Sequence, residues 1–270
     1  MSLYRNSAWF LKGMTEFTRS AFLSAAKHFV EKDLEVSMAG RVFMITGANS
    51  GIGRATAMAI AKRGGTVHMV CRNKDKAEEA RADIVKESGN KEIYVHILDL
   101  SETRKVWEFA EAFKRKYKAL NVLINNAGCI MSERDVNAEG LEKSFASNVM
   151  DVILLNPPPQ ITVSSGGMLV QKLRTGNLQT EIGRYDGTMV YAQHKVRGAG
   201  EREGGGAGGQ EGGGVGGRGS RASHVTFCCV RHQIKCYLSH APNTEGVDLT
   251  VKCLFMKIRV KKTTNSNTIQ

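Results

Sequence analysis

No stretch of this chain is apolar over the roughly 20 residues that a bilayer-spanning helix requires. No charged and then apolar leader with a small-residue cleavage site stands at its start. The six cysteines, Cys71, Cys129, Cys228, Cys229, Cys236 and Cys253, fall at no framework spacing. Together these absences predict a reducing, intracellular compartment, cytoplasmic in the first instance, with membrane-associated or mitochondrial placement as the alternatives. His224, Cys228, Cys229, His232 and Cys236 crowd within thirteen residues, yet they form neither a CxxC nor a paired-histidine spacing, so no metal site is expected. Apolar side chains almost vanish from residues 196 to 220, where 13 of 25 residues are glycine. That segment cannot bury a core and is expected to be disordered. It also lacks the aromatics that stack on bases. The run Gly216, Gly217, Arg218, Gly219 with Arg221 therefore makes a poor arginine/glycine-type binding segment, and nucleic acid is not an expected partner.

The net charge of +12 divides evenly between two unequal parts. Residues 1 to 195 carry 27 basic against 21 acidic side chains, and residues 196 to 270 carry 11 against 5, so each part contributes +6. The charge density therefore lies in the tail.

What is present suits one doubly wound α/β domain, since 270 residues at 41% hydrophobic content supply a core of that size. Residues 1 to 35 read as an amphipathic helix with Phe10, Met14, Phe17, Ala21 and Ala25 on one stripe. Packing on the domain is its ordinary fate; a peripheral membrane contact or the start of a transit segment are the other readings. From Arg41 short apolar runs alternate with longer polar helical segments, the pattern of βαβ units around a parallel sheet. The predicted strands are 42–45, 66–71, 93–98, 122–125 and 161–164. The predicted helices are 52–63, 75–87, a segment capped by Ser101 that runs through Lys118, and a last one beginning over 141–148.

Pro157, Pro158 and Pro159 follow Asn148 closely and cannot continue a helix, so the crossover into the fifth strand is thin. The expected organisation is an N-terminal helical segment (1–39), a Rossmann-like doubly wound domain incomplete in its C-terminal half (40–195), a disordered Gly-rich linker (196–221) and a basic tail (222–270). Within the tail, 225–230 and 251–260 are weak strand-like runs.

Thr46, Gly47, Asn49, Ser50, Gly51, Ile52 and Gly53 form a glycine loop between a predicted strand and a predicted helix. Glycines there allow a tight turn and let the backbone approach a pyrophosphate, whose charge the helix N-terminus receives. After the second strand an NAD-specific site places an acidic residue on the ribose 2′-hydroxyl, and this chain has Arg72 instead. Arg72, with Arg54 beyond the glycine loop, can grip a 2′-phosphate, which favours NADP(H) over NAD(H). Tyr191 and Lys195 stand four apart, on one helix face, so the ammonium can favour the phenolate of its neighbour. Tyr191 is then the candidate general acid/base for a carbonyl/alcohol substrate, and Ser165, at the end of the fifth strand, a hydrogen-bond donor to the substrate oxygen.

With Asn125, Asn126, Ala127 and Gly128 after the fourth strand, these motifs over residues 40 to 195 closely resemble the short-chain dehydrogenase/reductase family. The resemblance implies an oxidoreductase that uses NADP(H). By that resemblance Asp99 and Leu100 lie near the adenine, the Asn-Asn-Ala-Gly run steadies the sheet beside the cofactor, Asn148 supports a proton relay, and Ser165 rather than Ser164 is the catalytic serine. Lys195 would also hold the nicotinamide ribose. The chain departs from the family between Asn148 and the fifth strand and again after Lys195. An omitted internal segment and an unrelated tail would account for both departures, and would weaken turnover. The competing reading is a nucleotide-binding protein without hydride transfer. Substrate identity and oligomeric state have no signature in the sequence.

Overall fold

The computed structural model describes residues 35–155, 160–169 and 171–197, together with shorter pieces: 7, 10–11, 14–15, 18–27 and 30 near the start, and 224–230, 233–238, 249–252 and 257–260 in the tail. The Gly-rich linker expected over 196–221 lies almost wholly outside the described residues. Near the start, α1 (Arg19–Ala26) begins where Thr18 Oγ1 accepts the Ala21 N–H at 3.2 Å, an N-cap contact. Phe10 and Met14 are 60% and 62% exposed, so these members of the amphipathic stripe are not packed on the domain as expected.

From residue 42 the chain alternates strand and helix: β1 (Val42–Thr46), α2 (Gly51–Ala61), β2 (Thr66–Cys71), α3 (Lys74–Ser88), β3 (Ile93–Ile97), α4 (Thr103–Lys116) and β4 (Val122–Asn125). After β4 come the short α5 (Lys143–Phe145), a π turn (Ala146–Met150), α6 (Asp151–Leu154), β5 (Gln160–Ser165) and α7 (Gly187–Arg197). Five of the strands pair in parallel in the order β3-β2-β1-β4-β5, the Rossmann-like arrangement. Side chains alternate across β1. Phe43 and Ile45 enter one core with Ala57, Ile60, Ile84 and Ile124, while Met44 enters the other with Val106, Phe113, Leu123 and Leu155. A central strand buried on both faces reads as a continuous apolar run, which is why 42–45 is legible as a strand.

Local signals place the helices. Asn73 Oδ1 accepts the Lys76 N–H at 2.9 Å to cap α3, and Gly89, at φ 70°, closes it. Ser101 does not cap α4. Its hydroxyl donates instead to Asp99 Oδ1 at 2.8 Å, and the first turn of α4 is met by Glu139, whose Oε1 accepts the Arg104 N–H at 3.0 Å. A serine beside an aspartate has a nearer acceptor than the helix end, and sequence spacing gives no sign of a capping carboxylate from a distant loop.

The helix bearing Asn148 runs on to Leu154, stopping short of the prolines as expected, and passes through the π turn, in which the Asp151 N–H bonds to the Ala146 carbonyl. This is enough chain to bring β5 back beside β4, with Ile124 level with Ile161.

In the tail, β6 (His224–Val230) pairs in parallel with β5 and in antiparallel with β7 (Gln233–Leu238). The run over 251–260 divides into β8 (Leu249–Lys252) and β9 (Lys257–Val260), an antiparallel pair.

Candidate active site

The carboxyl ends of β1, β2, β3 and β4 open into a cleft of about 760 Å³ at the point where the strand order reverses on either side of β1. Gly47, Asn49, Ser50, Gly51, Ile52, Arg54, Arg72, Asp99, Leu100, Asn126, Ala127 and Gly128 line it, joined by Cys71, Asn73, Lys76, Glu79, Asp83, Cys129 and Ser147. Of the predicted cofactor residues, Thr46 and Gly53 lie beneath the loop instead of on its surface.

Those two are the reason the loop has its shape. Thr46 Oγ1 accepts the backbone N–H groups of Asn126 and Ala127, each at 3.0 Å, and the Asn126 side-chain amide donates to the Thr46 carbonyl at 2.9 Å. Gly47, at φ 65°, turns the chain, and its own N–H donates to the Val70 carbonyl at 2.8 Å. A Cβ on Gly53 would meet the Gly47 carbonyl oxygen at 2.4 Å and Asn126 Nδ2 at 2.6 Å. The first turn of α2 thus packs directly under the loop, leaving a backbone cradle above it. Beside it, burial pushes the Cys71 thiol up in pKa, while the amides of Ala48 and Asn49 pull the other way.

At the far end of the cleft, a Cβ on Gly128 would lie 3.1 Å from Lys195 Nζ and 3.2 Å from Asn148 Oδ1, so both side chains converge on this glycine. Lys195, 6% exposed, donates to the Val163 carbonyl at 3.1 Å, and its ammonium lies 5.4 Å from the centre of the Tyr191 ring. Ser164 Oγ donates to the Lys195 carbonyl at 2.7 Å, binding α7 to β5. Ser165 Oγ accepts the Gly167 N–H at 3.3 Å and is half-buried. Asn148 clasps the backbone after β4: its Oδ1 accepts the Cys129 N–H, and its Nδ2 donates to the Cys129 carbonyl, both at 2.9 Å. Burial pushes the Cys129 thiol up.

A buried polar network behind these residues escaped the sequence reading. Ser144 Oγ accepts from Asn148 Nδ2 at 3.0 Å and lies 3.3 Å from His194 Nδ1, so it joins the Asn148 helix to α7. Burial, reinforced by the charge of Lys195, lowers the His194 pKa to about 4, and the imidazole is neutral near pH 7. Glu142 is fully buried; its carboxylate accepts the N–H groups of Ser144 and Phe145 at the start of α5 and the Tyr185 hydroxyl at 3.2 Å. Burial and that carboxylate raise the Tyr185 pKa. In sequence Glu142 looks like one more surface charge. Among the described residues no cluster of three or more histidine, cysteine or acidic side chains could hold a metal, and no helix is long and apolar enough to cross a membrane.

A parallel sheet in this order, a glycine loop at its switch point and a tyrosine and lysine on one helix define a class. The chain belongs to the short-chain dehydrogenase/reductase family. The family pattern described as short chain dehydrogenase matches residues 41–157. The chain is 55% identical over 206 residues to dehydrogenase/reductase SDR family member 12 of Homo sapiens, covering 72% of this chain and 65% of that protein. It is 36% identical over 172 residues to retinol dehydrogenase 12 of Mus musculus, covering 60% of this chain and 54% of that one. The chain thus spans between half and two thirds of the length of these relatives. Among solved structures, an uncharacterised protein from Mycobacterium Paratuberculosis matches with a TM-score of 0.55 at 30% identity, over 62% of each chain.

Proposed function

We propose that this oxidoreductase uses NADP(H) and interconverts a small carbonyl compound and its alcohol. One observation carries the reading: a braced glycine cradle at one end of the cleft and the convergence of Lys195 and Asn148 on Gly128 at the other. The cradle suits a pyrophosphate, since its backbone is bare of side chains where an anion would approach the start of α2. Arg72, Arg54 and Lys76 line the same cleft and suit a 2′-phosphate better than a bare ribose.

The nicotinamide, when bound, supplies or accepts hydride. Tyr191 gives its proton to the substrate oxygen in the reductive direction and takes it back in the oxidative one. Lys195 places a buried positive charge beside the Tyr191 ring and so favours the phenolate. Ser165 holds the substrate oxygen, and Asn148 fixes the backbone of Cys129 at the end of the cleft. Ile130 and Met189 are exposed near the start of α7, and they favour an apolar body on the carbonyl compound.

The test is loss of NADPH absorbance with a panel of aldehydes and ketones of graded chain length, for the wild type and for Tyr191→Phe. Turnover that depends on Tyr191 supports the reading. Cofactor binding without turnover on any member would replace it with a nucleotide-binding protein that catalyses nothing.

A further inference from the structure

Arg54 and Asp83 form an ion pair, Arg54 Nη2 to Asp83 Oδ2 at 2.5 Å, across the mouth of the cleft. Arg54 sits in the first turn of α2, and Asp83 lies on the third turn of α3. Lys76, Glu79 and Asp83 recur on α3 at spacings of three and four, so one face of that helix forms the wall of the cleft. Arg72 and Asn73 stand at the head of the same wall, with Asn73 fixed by its cap bond to the Lys76 N–H.

We propose that Asp83 is a positioning residue that sets the preference for the 2′-phosphorylated cofactor by holding Arg54 against this wall. This rests on the reading of the cofactor as NADP(H). The two side chains are 40% and 45% exposed, so the pair adds little to the stability of the fold. Its effect is on freedom of movement. An arginine at the rim of a cleft samples many rotamers, and each must be given up when the guanidinium closes on a phosphate. One oxygen of Asp83 on Nη2 fixes the direction of the fork in advance. The remaining N–H groups of Arg54 are then available to an anion in the cleft that Arg72 also lines.

A second effect opposes the first, because the Asp83 carboxylate also repels a phosphate. A point charge at the edge of solvent is heavily screened, whereas the guanidinium meets its phosphate in direct bidentate contact, so positioning outweighs repulsion. Glu79, on the same wall, forms no ion pair among the described residues and contributes repulsion alone. Asp83 and Glu79 are therefore expected to act with opposite signs.

The experiment measures dissociation constants of the full chain for NADPH, NADH and 2′,5′-ADP by calorimetry, for the wild type, Arg54→Ala, Asp83→Asn, Glu79→Gln and the double variant Arg54→Ala/Asp83→Asn. The expected result is three- to tenfold weaker binding of NADPH and 2′,5′-ADP in Asp83→Asn, with NADH unchanged. Once Arg54 is gone, Asp83→Asn should no longer weaken binding and, like Glu79→Gln, should bind NADPH slightly more tightly. Equal loss for NADPH and NADH would mean a general structural role, and tighter NADPH binding in Asp83→Asn would mean that repulsion dominates. Either result overturns the proposal while leaving the cofactor reading intact. A wild type that binds NADH as well as NADPH overturns the cofactor reading, and the proposal with it.

Discussion

Asn148 holds Cys129 by both of its backbone hydrogen-bonding groups, one amide side chain closing a two-bond ring on the loop that follows β4. A third bond, to Ser144 Oγ, fixes the amide from behind. These bonds engage both the oxygen and the nitrogen of the amide, so its side chain works as a clasp.

Asn148→Ala removes all three bonds at a buried site. At roughly 1 kcal/mol each, the expected loss is about 2 to 3 kcal/mol in urea unfolding, with weaker cofactor binding as the Cys129 loop loosens. A loss below about 0.5 kcal/mol would show the clasp to be idle.

Gly53→Ala puts a methyl 2.4 Å from the Gly47 carbonyl oxygen, a backbone atom that cannot move aside without breaking the turn. Cofactor binding should fall more than tenfold, with a lower melting temperature. Gly89→Ala is the comparison. It has a positive φ, which Gly53 does not, but a Cβ there meets nothing within 4 Å, so the change should cost about 1 kcal/mol and leave cofactor affinity alone. Equal effects of the two on affinity would refute a cradle built on close packing.

Tyr191→Phe should lower NADPH oxidation by about 100-fold or more, the usual scale of a lost general acid, while the dissociation constant for NADPH stays within a few-fold. Lys195→Met is expected to damage both, because Lys195 also bonds to the Val163 carbonyl and packs against Gly128. Stopped-flow and equilibrium titration separate the two quantities. Retention of full activity in Tyr191→Phe removes the proposed chemistry.

Stability should fall on acidification. His68 Nδ1 and His96 Nε2 are 2.9 Å apart on adjacent strands, packed among Tyr94, Phe113 and Tyr117, and burial lowers each pKa to about 4, as it does for His194. Above about pH 6.5 these groups are neutral in both the folded and the unfolded chain and contribute no pH dependence. As pH falls from there towards 4, the unfolded chain gains protons that the folded chain refuses, and stability is lost progressively. For one isolated histidine the limit is about 3 kcal/mol. Urea midpoints across pH 7.5 to 4.5 would measure it. The double variant His68→Phe/His96→Phe should flatten the curve, and an unchanged slope would place its origin elsewhere.

Much of the fold was legible because central strands carry their own signature. The predicted bounds 66–71 and 122–125 coincide with β2 and β4, both mostly apolar runs buried on two faces. The glycine loop was equally plain, since only glycine serves where Gly47 turns and Gly53 packs. Partners supplied by distant parts of the chain were hidden. Glu139 at the start of α4, Glu142 beneath Tyr185, and Asp83 on Arg54 are acidic residues whose sequence neighbours resemble any solvated helix or turn, and only the fold reveals what each meets. The prolines at 157–159 marked where the Asn148 helix had to stop, but nothing in the sequence marked the π turn within it.

The π turn acts as a phase shift within one short helix. Each residue of an α-helix advances the side chains by about 100°, so one extra residue in a single turn rotates everything after it by that much relative to what came before. Ahead of the turn, Ser144 and Phe145 face α7; after it, Leu155 faces Met44 and Leu123 in the opposite core. Deleting Ala146, Ser147, Val149 or Met150 would restore a regular helix and set those two faces in conflict, so that either Asn148 keeps Cys129 or Leu155 keeps its core. The irregularity lets twelve residues, 143–154, serve the Cys129 loop and the hydrophobic interior at once.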